Sequence, residues 1–207
     1  MSITLLIMIL TAVTSIMAFN NPAMKGQALF YPYAIQARNE WYRFLTSGFI
    51  HADWLHLIVN MYVLYIFGEL LEDYFLPAYF VEKGRLVYLL LYIGGMVAAD
   101  LPSYFKHRNN AMFRSLGASG AVSAIVFASI VINPWQGGIG LLFLPITLPP
   151  IIFGVLYLIY TVYMSQRQSD NINHDAHLFG AVFGLVIPCL LDFRIFQSFI
   201  DQLSSRL

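Results

Sequence analysis

Residues 115–166 read SLGASGAVSAIVFASIVINPWQGGIGLLFLPITLPPIIFGVLYLIYTVYMSQ, and no Asp, Glu, Lys, Arg or His interrupts them. At roughly 1.5 Å per helical residue this is well over two bilayer crossings. Water cannot solvate such a run, so it decides the fold class: the chain is an integral membrane protein built from helices. The remainder agrees. Of 207 residues, 59% are hydrophobic and 11% charged, against about 25% charged in average soluble domains. The mean hydropathy is +0.69.

Basic and acidic residues balance at 11 each. That balance, with no basic stripe, argues against nucleic acid as a partner. The single Cys189 excludes an internal disulfide and reads as packing.

Working outward, the apolar runs predict an all-α bundle of six transmembrane helices, about 3–19, 52–71, 86–100, 117–133, 151–165 and 176–191. Residues 1–207 form a single domain with no internal repeat. The first run lacks a basic flank and a good cleavage site, so it is expected to be retained rather than removed as a signal peptide. Asn20-Asn21-Pro22 ends it. Residues 20–50 form a long connection in which aromatics alternate with Lys25, Arg38 and Arg43. This mixture suits the membrane–water interface, with lipid as the solvent on one side. Asp100 and Pro102 are expected to end the third helix, leaving Lys106, His107, Arg108 and Arg114 in a loop. The Pro- and Gly-rich stretch 134–150 predicts broken backbone.

Six crossings place both termini on one side, so the second, fourth and sixth helices run in the same direction. Polar residues inside membrane helices are costly and point to function. Here they are His56 and Asn60, Ser119 and Ser123, and His177, each near the start of an even-numbered helix. Parity gathers them at one membrane face. Ser119 lies in Gly117-Ala118-Ser119-Gly120, where flanking glycines admit a substrate backbone and helix-start N–H groups suit an oxyanion. Small residues of this kind also serve simple helix packing. His177 is followed by Gly180 and Gly184 on one face, which lets two helices touch closely enough to bring an imidazole to Ser119. His56 and Asn60, at i and i+4, share a face and can donate to an anionic intermediate without carrying charge. Both could instead be interhelical glue. His51 reads as a structural brace for the aromatic connection. A polar cavity open to one aqueous face is expected to hold His51, His56, Asn60, Ser119 and His177.

Taken together, Trp41-Tyr42-Arg43, His51 with His56-x-x-x-Asn60, Gly117-x-Ser119-Gly120 and Ala176-His177-x-x-Gly180-x-x-x-Gly184 resemble the rhomboid intramembrane serine proteases of the compact six-helix bacterial type. The resemblance runs over nearly the whole chain. It implies an endopeptidase that cuts single-span membrane proteins through an acyl-enzyme, with no cofactor and no metal. Ser119 would be nucleophile and His177 general base and acid, without an aspartate. The Ser119 N–H, His56 and Asn60 would form the oxyanion hole. Trp41 and Arg43 would anchor a half-submerged first loop, and substrate would enter laterally past the fifth helix. The family often carries, one turn after the serine, an aromatic that stacks on the histidine. Here that place holds Ser123, so orientation of the imidazole would fall to a hydroxyl, a water or a neighbouring helix.

The resemblance also implies a bacterial plasma membrane with the site open to the extracytoplasmic face. Most Lys and Arg nevertheless fall in the connections on the active-site side, opposite to the positive-inside rule. The expectation follows the resemblance, since basic residues of the first loop can act as anchors.

Three other classes fit less well. A catalytically inactive relative that binds transmembrane segments would not need both Ser119 and His177. A transporter would be expected to show an inverted repeat. A metalloprotease of the usual kind would need His-Glu-x-x-His.

Overall fold

The structure, a computed structural model, describes residues 2–140, 147–167 and 172–206. The chain is an all-α bundle. Its helices are α1 (Ile3–Asn20), α2 (Pro22–Ala28), α3 (Pro32–Arg38), α4 (Arg43–Thr46), α5 (Trp54–Leu70), α6 (Leu76–Phe80), α7 (Gly84–His107), α8 (Ser119–Ile132), α9 (Pro150–Arg167), α10 (His174–Leu191) and α11 (Phe193–Ser204). Among the described residues, three stretches are long and apolar enough to cross a membrane: Ile3–Asn20, Trp54–His107 and His174–Leu191.

α8 is the axis of the bundle. Every residue from Gly120 to Ile132 is buried, so protein rather than lipid surrounds it. α7 and α10 pack against it through small residues. A Cβ on Gly180 would be driven into the carbonyl of Gly120, and one on Gly184 into the carbonyl of Ala124. A Cβ on Gly120 would come within 2.5 Å of the Ala99 Cβ. In lipid, close backbone contact of this kind replaces the hydrophobic drive that associates helices in water.

Predicted and observed boundaries agree within two residues for α1, α8, α9 and α10 and differ more where the second and third predicted helices end. The third predicted helix does not stop at Asp100 but continues to His107 with Pro102 inside it. The missing N–H at Pro102 costs one helical bond. The extension is retained because Ser103 and Tyr104 are buried beyond it, and Tyr104 meets the rings of Trp41 at 5.4 Å and Phe44 at 5.8 Å. Lys106 and His107 are therefore helical, not loop. The second predicted helix starts at Trp54, where the Asp53 carboxylate caps it by accepting the His56 N–H at 2.8 Å. Glu72 and Asp73 do not end it, since a wider helical turn over Leu71–Phe75 carries the chain into α6. Glu72 is buried there. It accepts from the N–H groups of Ile3 and Thr4 at 2.8 and 2.9 Å, a carboxylate placed on the positive end of α1.

The connection 20–50 is not plain loop, since it contains α2, α3 and α4. Arg43 is buried in it and donates to the carbonyls of Gly26 and Leu29 and to Glu40. Trp41 stays half exposed. Within 134–150 the described residues form a short antiparallel pair, β1 (Ile139–Gly140) with β2 (Thr147–Leu148). Pro145 lies outside the described residues, as do 168–171 of the polar connection 166–175. α11 has no counterpart in the sequence reading. It is an amphipathic helix, capped by Asp192, that buries Ile195 and returns to the bundle where the Trp135 indole donates to the Gln202 carbonyl at 2.9 Å.

Candidate active site

The N-terminal ends of α5, α8 and α10 meet at one end of the bundle. Ser119 is the first residue of α8 and His177 lies in the first turn of α10. Their side chains meet, with His177 Nε2 2.7 Å from Ser119 Oγ. The position of Ser119 follows from its neighbours. Gly117 has φ 123°, a left-handed conformation that favours glycine, and its N–H donates to the Ser47 carbonyl at 2.9 Å. The turn at Gly117 aims the chain into α8, and the first-turn N–H groups of a helix have no acceptor within it.

His51 holds this turn from behind. The Ala118 N–H donates to His51 Nε2 at 3.3 Å, so the ring proton sits on Nδ1, 3.0 Å from Ser15 Oγ. Burial pushes the His51 imidazole from its ordinary 6.5 to about 3; the nearby His56 adds to the shift and Asp53 opposes it. His51 is thus a neutral acceptor. It does not line the cavity, which corrects the expectation that it would. Its ring meets that of His56 edge-on at 4.9 Å.

His56 lies against Gly117, where a Cβ would come within 2.6 Å of its Cε1. This close approach is a second reason for glycine at that position. Asn60 is buried on the same face of α5. One amide N–H of Asn60 donates to the His56 carbonyl at 2.9 Å, and the NH₂ group carries a second.

These side chains line a cavity of about 980 Å³, whose wall includes His56, Asn60, Ser119, Tyr157 and His177. Ser165 and Asp175 also line it. Lys106 pairs with Asp175 at 2.8 Å, and Asp175 also accepts from Ser165. Asp175 is engaged on that side.

Three contributors were missed. Asn173 caps α10 by accepting from the Ala176 N–H at 3.2 Å and from Ser103 Oγ at 3.0 Å, and it donates towards Asp100 and Ser115. An Asn just before a helix is a cap signal that could have been read. His174 sits edge-on to His177 at 5.8 Å, and their i, i+3 spacing was available as a clue. Tyr157 of α9 lies with its ring at 17° to the His177 imidazole, centroids 6.3 Å apart, and its hydroxyl is 2.8 Å from Ser123 Oγ. The neighbouring helix therefore brings the aromatic that position 123 lacks. Nothing in the spacing of an apolar run distinguishes Tyr157 from a lipid-facing tyrosine.

A helical membrane bundle with a serine–histidine pair at the wall of a cavity defines a class of intramembrane protein. Residues 38–192 match the family model described as Rhomboid domain, and the chain belongs to the rhomboid family. It is 34% identical over 161 residues to Rhomboid-like protein 11, chloroplastic, of Arabidopsis thaliana, covering 73% of this chain and 52% of that one. It is 31% identical over 150 residues to Presenilin-associated rhomboid-like protein A, mitochondrial, of Danio rerio, covering 68% and 35%. YdcA of Bacillus subtilis (strain 168), named as a candidate rhomboid protease, is 27% identical over 155 residues, covering 74% and 69%. The chain spans about half or less of the length of the two organellar relatives.

Proposed function

We propose that this protein is an intramembrane serine endopeptidase that hydrolyses peptide bonds in or beside the transmembrane segments of single-span membrane proteins. The observation that carries the reading is the 2.7 Å approach of His177 Nε2 to Ser119 Oγ at the cavity wall. An imidazole within hydrogen-bond reach is what a serine hydroxyl needs to become a nucleophile.

Ser119 Oγ attacks the scissile carbonyl carbon while His177 Nε2 takes the hydroxyl proton. The carbonyl π pair moves to oxygen, and that oxyanion is received by the Ser119 N–H with His56 and Asn60 as further neutral donors. Collapse breaks the C–N bond, and His177 returns its proton to the leaving amine. Water, deprotonated by His177, then attacks the acyl-enzyme and releases Ser119 and the new carboxyl terminus. Length sets the depth of the reaction. α8 has 14 residues, about 21 Å, against roughly 30 Å of hydrocarbon. If Asn133-Pro134 sits at one interface, Ser119 lies about 10 Å inside the other, and the cavity supplies its water.

The test is cleavage of a generic single-span substrate, with labelling by a serine-directed fluorophosphonate. Ser119→Ala and His177→Ala should each lower cleavage on the order of 10³-fold or more with unchanged thermal unfolding, and Ser119→Ala should abolish labelling. A wild-type protein that resists the label and leaves the substrate intact would be a rhomboid relative that binds transmembrane segments without cutting them.

The proposed setting is a bacterial plasma membrane with six crossings and the cavity open to the extracytoplasmic side. A reporter fused after Gly26 should read as external, and a cytoplasmic signal there would reverse the orientation.

A further inference from the structure

Tyr157 lies outside the Ser119–His177 pair, and no step of the proposed reaction uses it. Three helices nevertheless meet at this side chain. Its backbone belongs to α9, its ring faces the imidazole of α10 at 17° and 6.3 Å, and its hydroxyl meets Ser123 of α8 at 2.8 Å. Ser123 is one turn beyond Ser119 and buried. The rings of Phe127 and Phe153 flank the tyrosine at 5.5 and 5.8 Å, so it cannot tilt without repacking both. α9 itself fully buries only Pro150, Gly154 and Thr161 and turns much of its apolar surface outward.

We propose that Tyr157 is a positioning residue that aligns the His177 ring, and that this alignment is coupled to closure of α9 over the cavity. The proposal rests on the serine–histidine reading above. The physical reason is twofold. A near-parallel ring limits rotation of the imidazole about its own axis, and small misplacements of a proton-transferring group cost rate. The Ser123–Tyr157 hydrogen bond can form only while α9 lies against α8. A transmembrane segment that enters by displacing α9 parts this bond and withdraws the ring from His177. The pair is realigned when α9 returns over the bound segment, so the nucleophile is least active while the site stands open.

The experiment uses the full chain in liposomes. It compares wild type, Tyr157→Leu, Tyr157→Phe, Ser123→Ala and the Ser123→Ala/Tyr157→Phe double variant. The readouts are the fluorophosphonate labelling rate, kcat and KM for a single-span substrate, and thermal unfolding. Tyr157→Leu should lower labelling and kcat about 3- to 10-fold and, lacking the hydroxyl too, should lower KM to the same extent as Tyr157→Phe. Tyr157→Phe, which keeps the ring, should recover most of that kcat and lower KM, because the hydroxyl lock on α9 is gone. Ser123→Ala should behave like Tyr157→Phe, and the double variant should be no more affected than either single change, since one bond is lost in all three.

Labelling of Tyr157→Leu at the wild-type rate would overturn the proposal, as would a Tyr157→Phe as impaired as Tyr157→Leu. Should Tyr157→Leu fail to fold, additive effects of Ser123→Ala and Tyr157→Phe would overturn it equally. If wild type is not labelled, or Ser119→Ala still is, the serine-protease reading itself fails and this inference falls with it; labelled wild type beside a normal Tyr157→Leu removes this inference alone.

Discussion

α8 and α9 adjoin the same cavity and both are largely apolar, yet they are held in opposite ways. α8 is short and enclosed, with its neighbours touching it through backbone and small side chains. α9 exposes Ile152, Val155, Leu156, Ile159, Tyr160, Val162 and Tyr163 and buries very little. Their glycines show the difference. Gly180 and Gly184 of α10 face carbonyls of α8, which cannot yield. A Cβ on Gly154 of α9 would meet Ile130 Cδ1 at 3.2 Å and Phe127 Cε1 at 3.4 Å, the ends of side chains that can. Ser119 therefore sits on a helix that backbone contacts fix in place, while the helix that bounds the cavity meets the core through side-chain ends. The proposed function, with a substrate arriving through lipid, would call for both properties, and here they fall on separate helices.

The comparison breaks most easily at the rigid seam. Gly180→Val should separate α8 from α10, cost more than about 3 kcal/mol and leave little folded protein; size-exclusion and thermal unfolding in detergent read this directly. A normal melting curve would mean that the seam is not rigid.

Next in size is the mobile side. Cysteines at Val63 and Phe153 face the cavity from α5 and α9. Joined by a bifunctional maleimide in a Cys189→Ala background, they should stop cleavage of a full-length substrate while fluorophosphonate labelling persists. Unchanged cleavage would refute entry past α9.

A third prediction concerns the brace behind α8. The His51 imidazole lies at about 3 in the folded chain and near 6.5 when unfolded. The unfolded state thus binds the extra proton between those values, and stability falls as pH drops through that window. The loss should approach the order of 3 kcal/mol between pH 7 and pH 4. His51→Gln should be less stable at pH 7 and should lose less on acidification. Parallel pH–Tm curves for the two proteins would remove His51 from this role.

The smallest effect is expected at Gly154→Ala. It should change stability by less than about 1 kcal/mol, since flexible ends can give way. A loss comparable to that of Gly180→Val would erase the contrast between the two helices.

Much of this was legible in the sequence. The charge-free run 115–166 settled the solvent and hence the helical class, because an unsatisfied backbone is not tolerated in hydrocarbon. Helix parity gathered His56, Asn60, Ser119 and His177 at one end, because alternate crossings must run the same way. Both inferences need only local composition and the geometry of a bilayer. Only the tertiary structure decided the rest. It carried α7 through Pro102 to meet the aromatic connection, set His51 behind the site instead of in it, and supplied the ring over His177 from Tyr157 of another helix. Each of these depends on which surfaces of distant segments touch, and the energy of such contacts belongs to the pair of surfaces and is written in neither segment alone.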